Sequence, residues 1–144
     1  MTKPDTKTRA KAEQAGRRGE AMAALALQIK GYSILETRTK TPRGEIDLIV
    51  RKGAVLAFVE VKVRRSTTVS GKVMTGTQMT RIVNAATAWA SARPWTRHCQ
   101  WRYDLVMVAP WRWPRHLKDA WRPINDPMLS RARQAGKVRA GRGL

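Results

Sequence analysis

A single α/β domain is predicted, and three observations carry it. Two β-forming strings, Gly44-Glu45-Ile46-Asp47-Leu48-Ile49 and Phe58-Val59-Glu60-Val61-Lys62, are separated by a Lys52-Gly53 break. Apolar stripes of helical period precede and follow this pair. A chain of 144 residues holds one core comfortably, whereas two independent domains would be a stretch.

The elements follow in order. Residues 1–11 are polar and basic, include Pro4, and are expected to form a flexible arm ahead of a folded domain over 12–127. A helix is expected over about 12–30, because Met22, Leu25, Ala26 and Ile29 fall at i, i+3, i+4 and i+7 and form one packing stripe. Gly31 fits its C-terminal stop. Residues 32–39 read as a strand and 41–44 as a loop. A hairpin of about 45–51 and 54–64 comes next, with Gly53 free to take the positive φ of a tight turn. Ser, Thr and Gly over 66–78 predict a mobile loop. Ile82, Val83, Ala86, Trp89 and Ala90 make a second helical stripe, ended by Arg93-Pro94. Trp101, Tyr103, Leu105 and Met107 alternate with Arg102, Asp104, Val106 and Val108 as a fourth strand, and 117–121 adds a short closing element. Residues 128–144 are Arg/Lys/Gly-rich with little to bury and are expected to be a disordered basic tail.

The hairpin contains a chemical anomaly. Alternation puts Leu56, Phe58, Glu60 and Lys62 on one face of its second strand. With an even-length connection, Asp47 points to that same face, so two acids and a lysine converge at one end. Buried charges are costly unless they are paired or hold a metal. The structural alternative is an ion-pair cluster in which Lys62 neutralises Asp47 and Glu60. Desolvation offsets much of the attraction in such a cluster, making it a poor way to stabilise a small core.

The strings Gly19-Glu20-Ala21-Met22-Ala23, Gly31-Tyr32-Ser33-Ile34-Leu35, Gly44 to Ile49, Phe58 to Arg64, Arg102-Tyr103-Asp104 and Lys118-Asp119-Ala120-Trp121 recur in this order. From about Gly16 to Trp121 the chain resembles the YraN family of small bacterial proteins. The Asp47…Glu60-x-Lys62 arrangement resembles the metal-dependent core of the restriction-endonuclease-like superfamily. The resemblance implies a central mixed β-sheet flanked by helices and phosphodiester hydrolysis with Mg²⁺ or Mn²⁺. It also assigns Asp47, Glu60 and Lys62 to the superfamily's catalytic trio and Glu20 to its helical acid. Asp47 and Glu60 would each offer the ion one oxygen, Lys62 would orient the attacking water or stabilise charge on phosphorus, and Glu20 would bind a second ion or a metal-bound water. Arg38 stands where the family usually has Asn, and Gln78 where it usually has Lys, so contacts at these positions are expected to differ in detail. Glu45 reads as a surface contact as readily as a site residue, and Asp104 as a partner of Arg102.

Composition points the same way. Lys and Arg number 29 against 10 acids, a net charge of +19, which favours a polyanionic partner, most simply nucleic acid. Charge does not separate DNA from RNA, and the resemblance implies DNA ahead of RNA. Arg17, Arg18, Arg43, Arg64, Arg65 and Lys72 surround the candidate site in sequence and are expected to touch phosphates. Gln78, opening the second helix, is a further candidate for a phosphate or water contact. Trp89 and Trp101 fall on core stripes, whereas Trp111-Arg112-Trp113-Pro114-Arg115 is a candidate for base stacking. His98 and His116 have no partners at metal spacing. The lone Cys99 suits a reducing cytoplasm and reads as a packed thiol. The apolar stretch over 21–29 begins beside Glu20 and runs into Lys30, so it reads as a helix face rather than a leader or membrane span. The expected function is that of a cytoplasmic DNA-binding endonuclease. The alternative is a non-catalytic module on the same fold that binds DNA junctions or RNA. By fold-level analogy with archaeal junction resolvases, a branched substrate and a homodimer are further expectations.

Overall fold

In the computed structural model, residues 5–67 and 73–123 are described, with elements α1 (Thr6–Ile29), β1 (Ser33–Thr41), β2 (Gly44–Lys52), β3 (Val55–Val63), α2 (Gly76–Ser91), a short 3₁₀ turn (Pro94–His98), β4 (Gln100–Val108) and β5 (Arg115–Trp121). The hairpin of β2 and β3 closes through Gly53 and Ala54, with Gly53 at φ 59°. This two-residue connection gives the even register the alternation requires, with Lys52 opposite Val55 and Leu48 opposite Val59. A parallel partner for β3 needs a crossover, which α2 and the 3₁₀ turn provide before β4 pairs with β3.

The five strands lie in the order β1-β2-β3-β4-β5, antiparallel except for the β3–β4 pair. A mixed sheet flanked by two helices is the architecture of a restriction-endonuclease-like core. Along β3, Leu56 and Phe58 enter the core that α2 covers, while Ala57 and Val59 enter the core that α1 covers. Both faces are therefore buried, and β3 is apolar until it reaches Glu60. On the α2 side, Phe58 sits among Trp89, Trp101 and Tyr103 at ring separations of 5.6–6.0 Å, spacings typical of favourable aromatic pairs.

Three expectations change. Helix α1 starts at Thr6, inside the segment read as a flexible arm; nothing in residues 6–11 interrupts the helix beyond Pro4. Its buried stripe is Gly19, Ala23, Ala26 and Leu27, while Met22, Leu25 and Ile29 are exposed. Small residues win that face because the helix lies close to the strands: a Cβ on Gly19 would sit 2.3 Å from a Val63 methyl. The third change is the extent of the closing element, which begins at Arg115 instead of Leu117. Lys72, the 66–78 loop over 68–72 and the basic tail lie outside the described residues. No helix among the described residues is long and apolar enough to cross a membrane.

Candidate functional site

The end of the sheet away from Gly53 gathers the C-terminal end of β3, the start of β2 and the end of β4. Continuing the hairpin register by one pair sets Asp47 opposite Glu60. The strands part there, and the Asp47 carboxylate takes over a ladder position by accepting a 2.8 Å hydrogen bond from the Val61 amide. Lys62, two residues beyond Glu60 and on its face, forms an ion pair with Glu60 Oε1 at 3.2 Å, with both side chains largely buried. Glu20 comes from α1, where Gly19 sits over Val63, and its charge acts on Asp47. Its Oε2 accepts from Arg38 Nε at 2.6 Å. Asp47, Glu60 and Lys62 thus meet at one end of the hairpin, with Glu20 held by Arg38 and near enough for its charge to act on Asp47.

Asp47 makes no ion pair among the described residues. Burial chiefly, and then the charge of Glu60, push its carboxyl up to about 7, with Glu20 adding to the rise and the Val61 amide opposing it. Among the described residues, no three His, Cys, Asp or Glu side chains are grouped so as to hold a metal ion. Two carboxylates are nonetheless a suitable donor set for a hard ion that keeps several waters and shares a phosphate. The third acid, Glu20, is engaged by Arg38. Glu45 is exposed, and its charge acts on Arg38.

The basic residues fall around this end. Arg43 occupies the β1–β2 turn, Arg64 and Arg65 follow β3, and Arg17 and Arg18 precede Glu20 on α1; all five are exposed. β4 runs parallel to β3, so the segment after it reaches the same end, carrying Trp111 fully exposed and Trp113 58% exposed. Gln78 is occupied locally. Its amide oxygen accepts from the Thr75 amide while Thr75 Oγ1 accepts from the Gln78 amide, a reciprocal cap on α2. The Thr75-x-x-Gln78 spacing signals this cap in the sequence itself.

Sequence reasoning missed a second polar cluster. Asp104 does pair with Arg102, through Nε and Nη2 at 2.8 Å each, as the sequence suggested. It also receives His116 Nε2 at 2.7 Å and the Asp119 amide at 3.0 Å. His116 Nδ1 lies 2.6 Å from Lys30 Nζ, and Arg102 Nη2 donates to the Tyr32 hydroxyl at 2.6 Å. An ammonium only donates, so Nδ1 accepts and Nε2 carries the proton given to Asp104. The β4–β5 pairing, with Val106 opposite His116, brings His116 and the Asp119 amide onto Asp104.

The fold and the site define a small α/β protein with an acidic cluster at the basic end of a mixed sheet. Residues 19–108 match the description "Uncharacterised protein family UPF0102", and the chain belongs to this family, the YraN family. A UPF0102 protein of Paramagnetospirillum magneticum is 43% identical over 123 residues, spanning 83% of this chain and 95% of the relative. One from Chelativorans sp. is 46% identical over 114 residues, 79% of this chain and 92% of its own. One from Parvibaculum lavamentivorans is 44% identical over 108 residues, 75% and 81% respectively.

Proposed function

We propose that this protein is a Mg²⁺- or Mn²⁺-dependent phosphodiester hydrolase that acts on nucleic acid, DNA ahead of RNA. The observation that carries the reading is Asp47. In a chain with 29 cationic side chains and 10 acidic ones, a half-buried carboxylate faces Glu60 and has no salt bridge among the described residues. A purely structural cluster would have used one of those abundant cations. A divalent ion held by Asp47 and Glu60 would supply Lewis-acid activation of water and charge neutralisation at the phosphate. Lys62 Nζ, fixed by Glu60, orients the attacking water or receives the charge that builds on the phosphate oxygens. Arg17, Arg18, Arg43, Arg64 and Arg65 hold the flanking backbone, and Lys72 extends the same basic set in sequence.

The test is a metal-dependent cleavage panel on single-stranded, duplex, flapped and four-way-junction DNA, with RNA controls. Glu60→Gln and Lys62→Ala should each cut at least about 10²-fold more slowly, the scale of removing one preorganised charge from a transition state. Binding should persist in both, because the basic rim supplies the affinity. Variants that cut like the parent would place the activity elsewhere. A parent that binds every substrate and cuts none would leave a nucleic-acid-binding module on this fold.

A further inference from the structure

Among the described strand residues, Arg38 and Asp119 are the two non-glycine ones at positive φ. Arg38 lies inside β1 at φ 50°, a left-handed conformation that non-glycine residues seldom adopt. Thr37 pairs with Leu48 and Thr39 with Ile46, so the same register sets Arg38 opposite Asp47. Arg38, Asp47 and Glu60 therefore form one row across three strands, and the left-handed turn of the backbone re-aims the side chain from that row. Its Nε reaches Glu20 at 2.6 Å, and the charges of Glu20, Glu45 and Asp47 all act on the guanidinium. Its two terminal amino groups have no protein partner among the described residues, and the side chain is 37% exposed.

Three acids with one fixed guanidinium among them behave differently from three acids alone. A guanidinium is always charged and cannot leave, so while it sits on Glu20 that carboxylate cannot complete a second ion's shell without losing a short charge-assisted bond. We infer that Arg38 is a built-in second cation: it occupies Glu20, so the site takes one divalent ion, on Asp47 and Glu60, and not two. The inference rests on the metal-dependent reading above. The unpartnered amino groups of Arg38 then face solvent as donors for a phosphate oxygen, where a second ion would otherwise have served.

Ion counting tests this without reference to activity. Mn²⁺ is titrated into the full chain, and bound ions are counted by calorimetry and by the electron paramagnetic resonance signal of free Mn²⁺. The parent should bind one ion per chain. Arg38→Asn, neutral and tolerant of the left-handed backbone, should bind two. Arg38→Asn combined with Glu20→Gln should return to one. Arg38→Gly, which suits this φ even better, should match Arg38→Asn and keeps the count interpretable if the Asn variant folds poorly. A parent that binds two ions, or Asn and Gly variants that still bind one, overturns the inference and leaves the Asp47–Glu60 ion intact. A parent that binds none overturns the metal reading itself, and the inference with it.

Discussion

Asp47 and Asp104 are the same residue type, both carried by central strands of one sheet, and their surroundings treat them in opposite ways. Asp104 is completely buried and saturated, with four hydrogen bonds from Arg102, His116 and the Asp119 amide. Burial alone would raise its carboxyl, but the bonds from His116, Arg102 and the Asp119 amide outweigh it and hold the group below the usual carboxylate range. Asp47 is less buried; it accepts from the Val61 amide and shares a carboxyl–carboxyl contact with Glu60, and its carboxyl rises to about 7. Where the fold needs a carboxylate, it is surrounded with donors. Where it leaves one short of donors beside another acid, the proposed divalent ion would serve as the missing partner.

The contrast can be broken by substitution, most forcefully at Asp104. Asp104→Asn removes the carboxylate charge that faces Arg102 while leaving the charged guanidinium in place. The expected loss is about 3 kcal/mol or more, read as a melting temperature lowered by about 10 °C. A variant that melts with the parent would show that the saturated carboxylate is not structural.

At Asp47 the sign should reverse. Its folded-state pKa, about 7, lies above the ordinary 3.8, so the native state binds more protons than the unfolded chain between those values. The contribution is fully present below about pH 4 and is lost as pH rises to about 7. Asp104 works the other way, losing stability as pH falls below the ordinary carboxylate range. In metal-free buffer the parent should therefore lose roughly 2 kcal/mol between pH 4 and pH 7.5 that Asp47→Asn does not lose. Above pH 7 the variant should be the more stable of the two by urea unfolding. Equal pH slopes would show that Asp47 is not strained by Glu60.

The smallest effect sharpens the comparison without removing either acid. His116→Gln takes one of four bonds from Asp104 and should cost about 1 kcal/mol. A loss as large as that of Asp104→Asn would mean that His116, not Arg102, is the main support of the buried acid.

Much of this was legible in the chain, for identifiable reasons. The hairpin, the shared face of Glu60 and Lys62, and the α2 stripe through Ile82, Ala86, Trp89 and Ala90 all follow from local periodicity. Asp47 could be set opposite Glu60 only on the condition of an even connection, which the two-residue turn of Gly53 and Ala54 meets. The buried face of α1 was not legible by the same means. Hydropathy selects Met22, Leu25 and Ile29, whereas close packing on β3 and β4 selects Gly19, Ala23, Ala26 and Leu27. Arg38 has no local preference for left-handed backbone, so its conformation is imposed by the neighbouring strand and by Glu20. The links from Asp104 to His116 and the Asp119 amide depend on β5 folding back along β4, a non-local event that no window of sequence contains.

Gly19 carries one more consequence. The space its side chain would fill is already taken by Val63, so helix and sheet meet there backbone to side chain, one residue before Glu20. A missing methyl group thereby works as a ruler. Adding it back by Gly19→Ala would wedge the helix outward and shorten the reach of a carboxylate that the substitution never touched. Tolerance at position 19 would then be set by the distance across which Glu20 must act, although residue 19 bears no chemistry of its own.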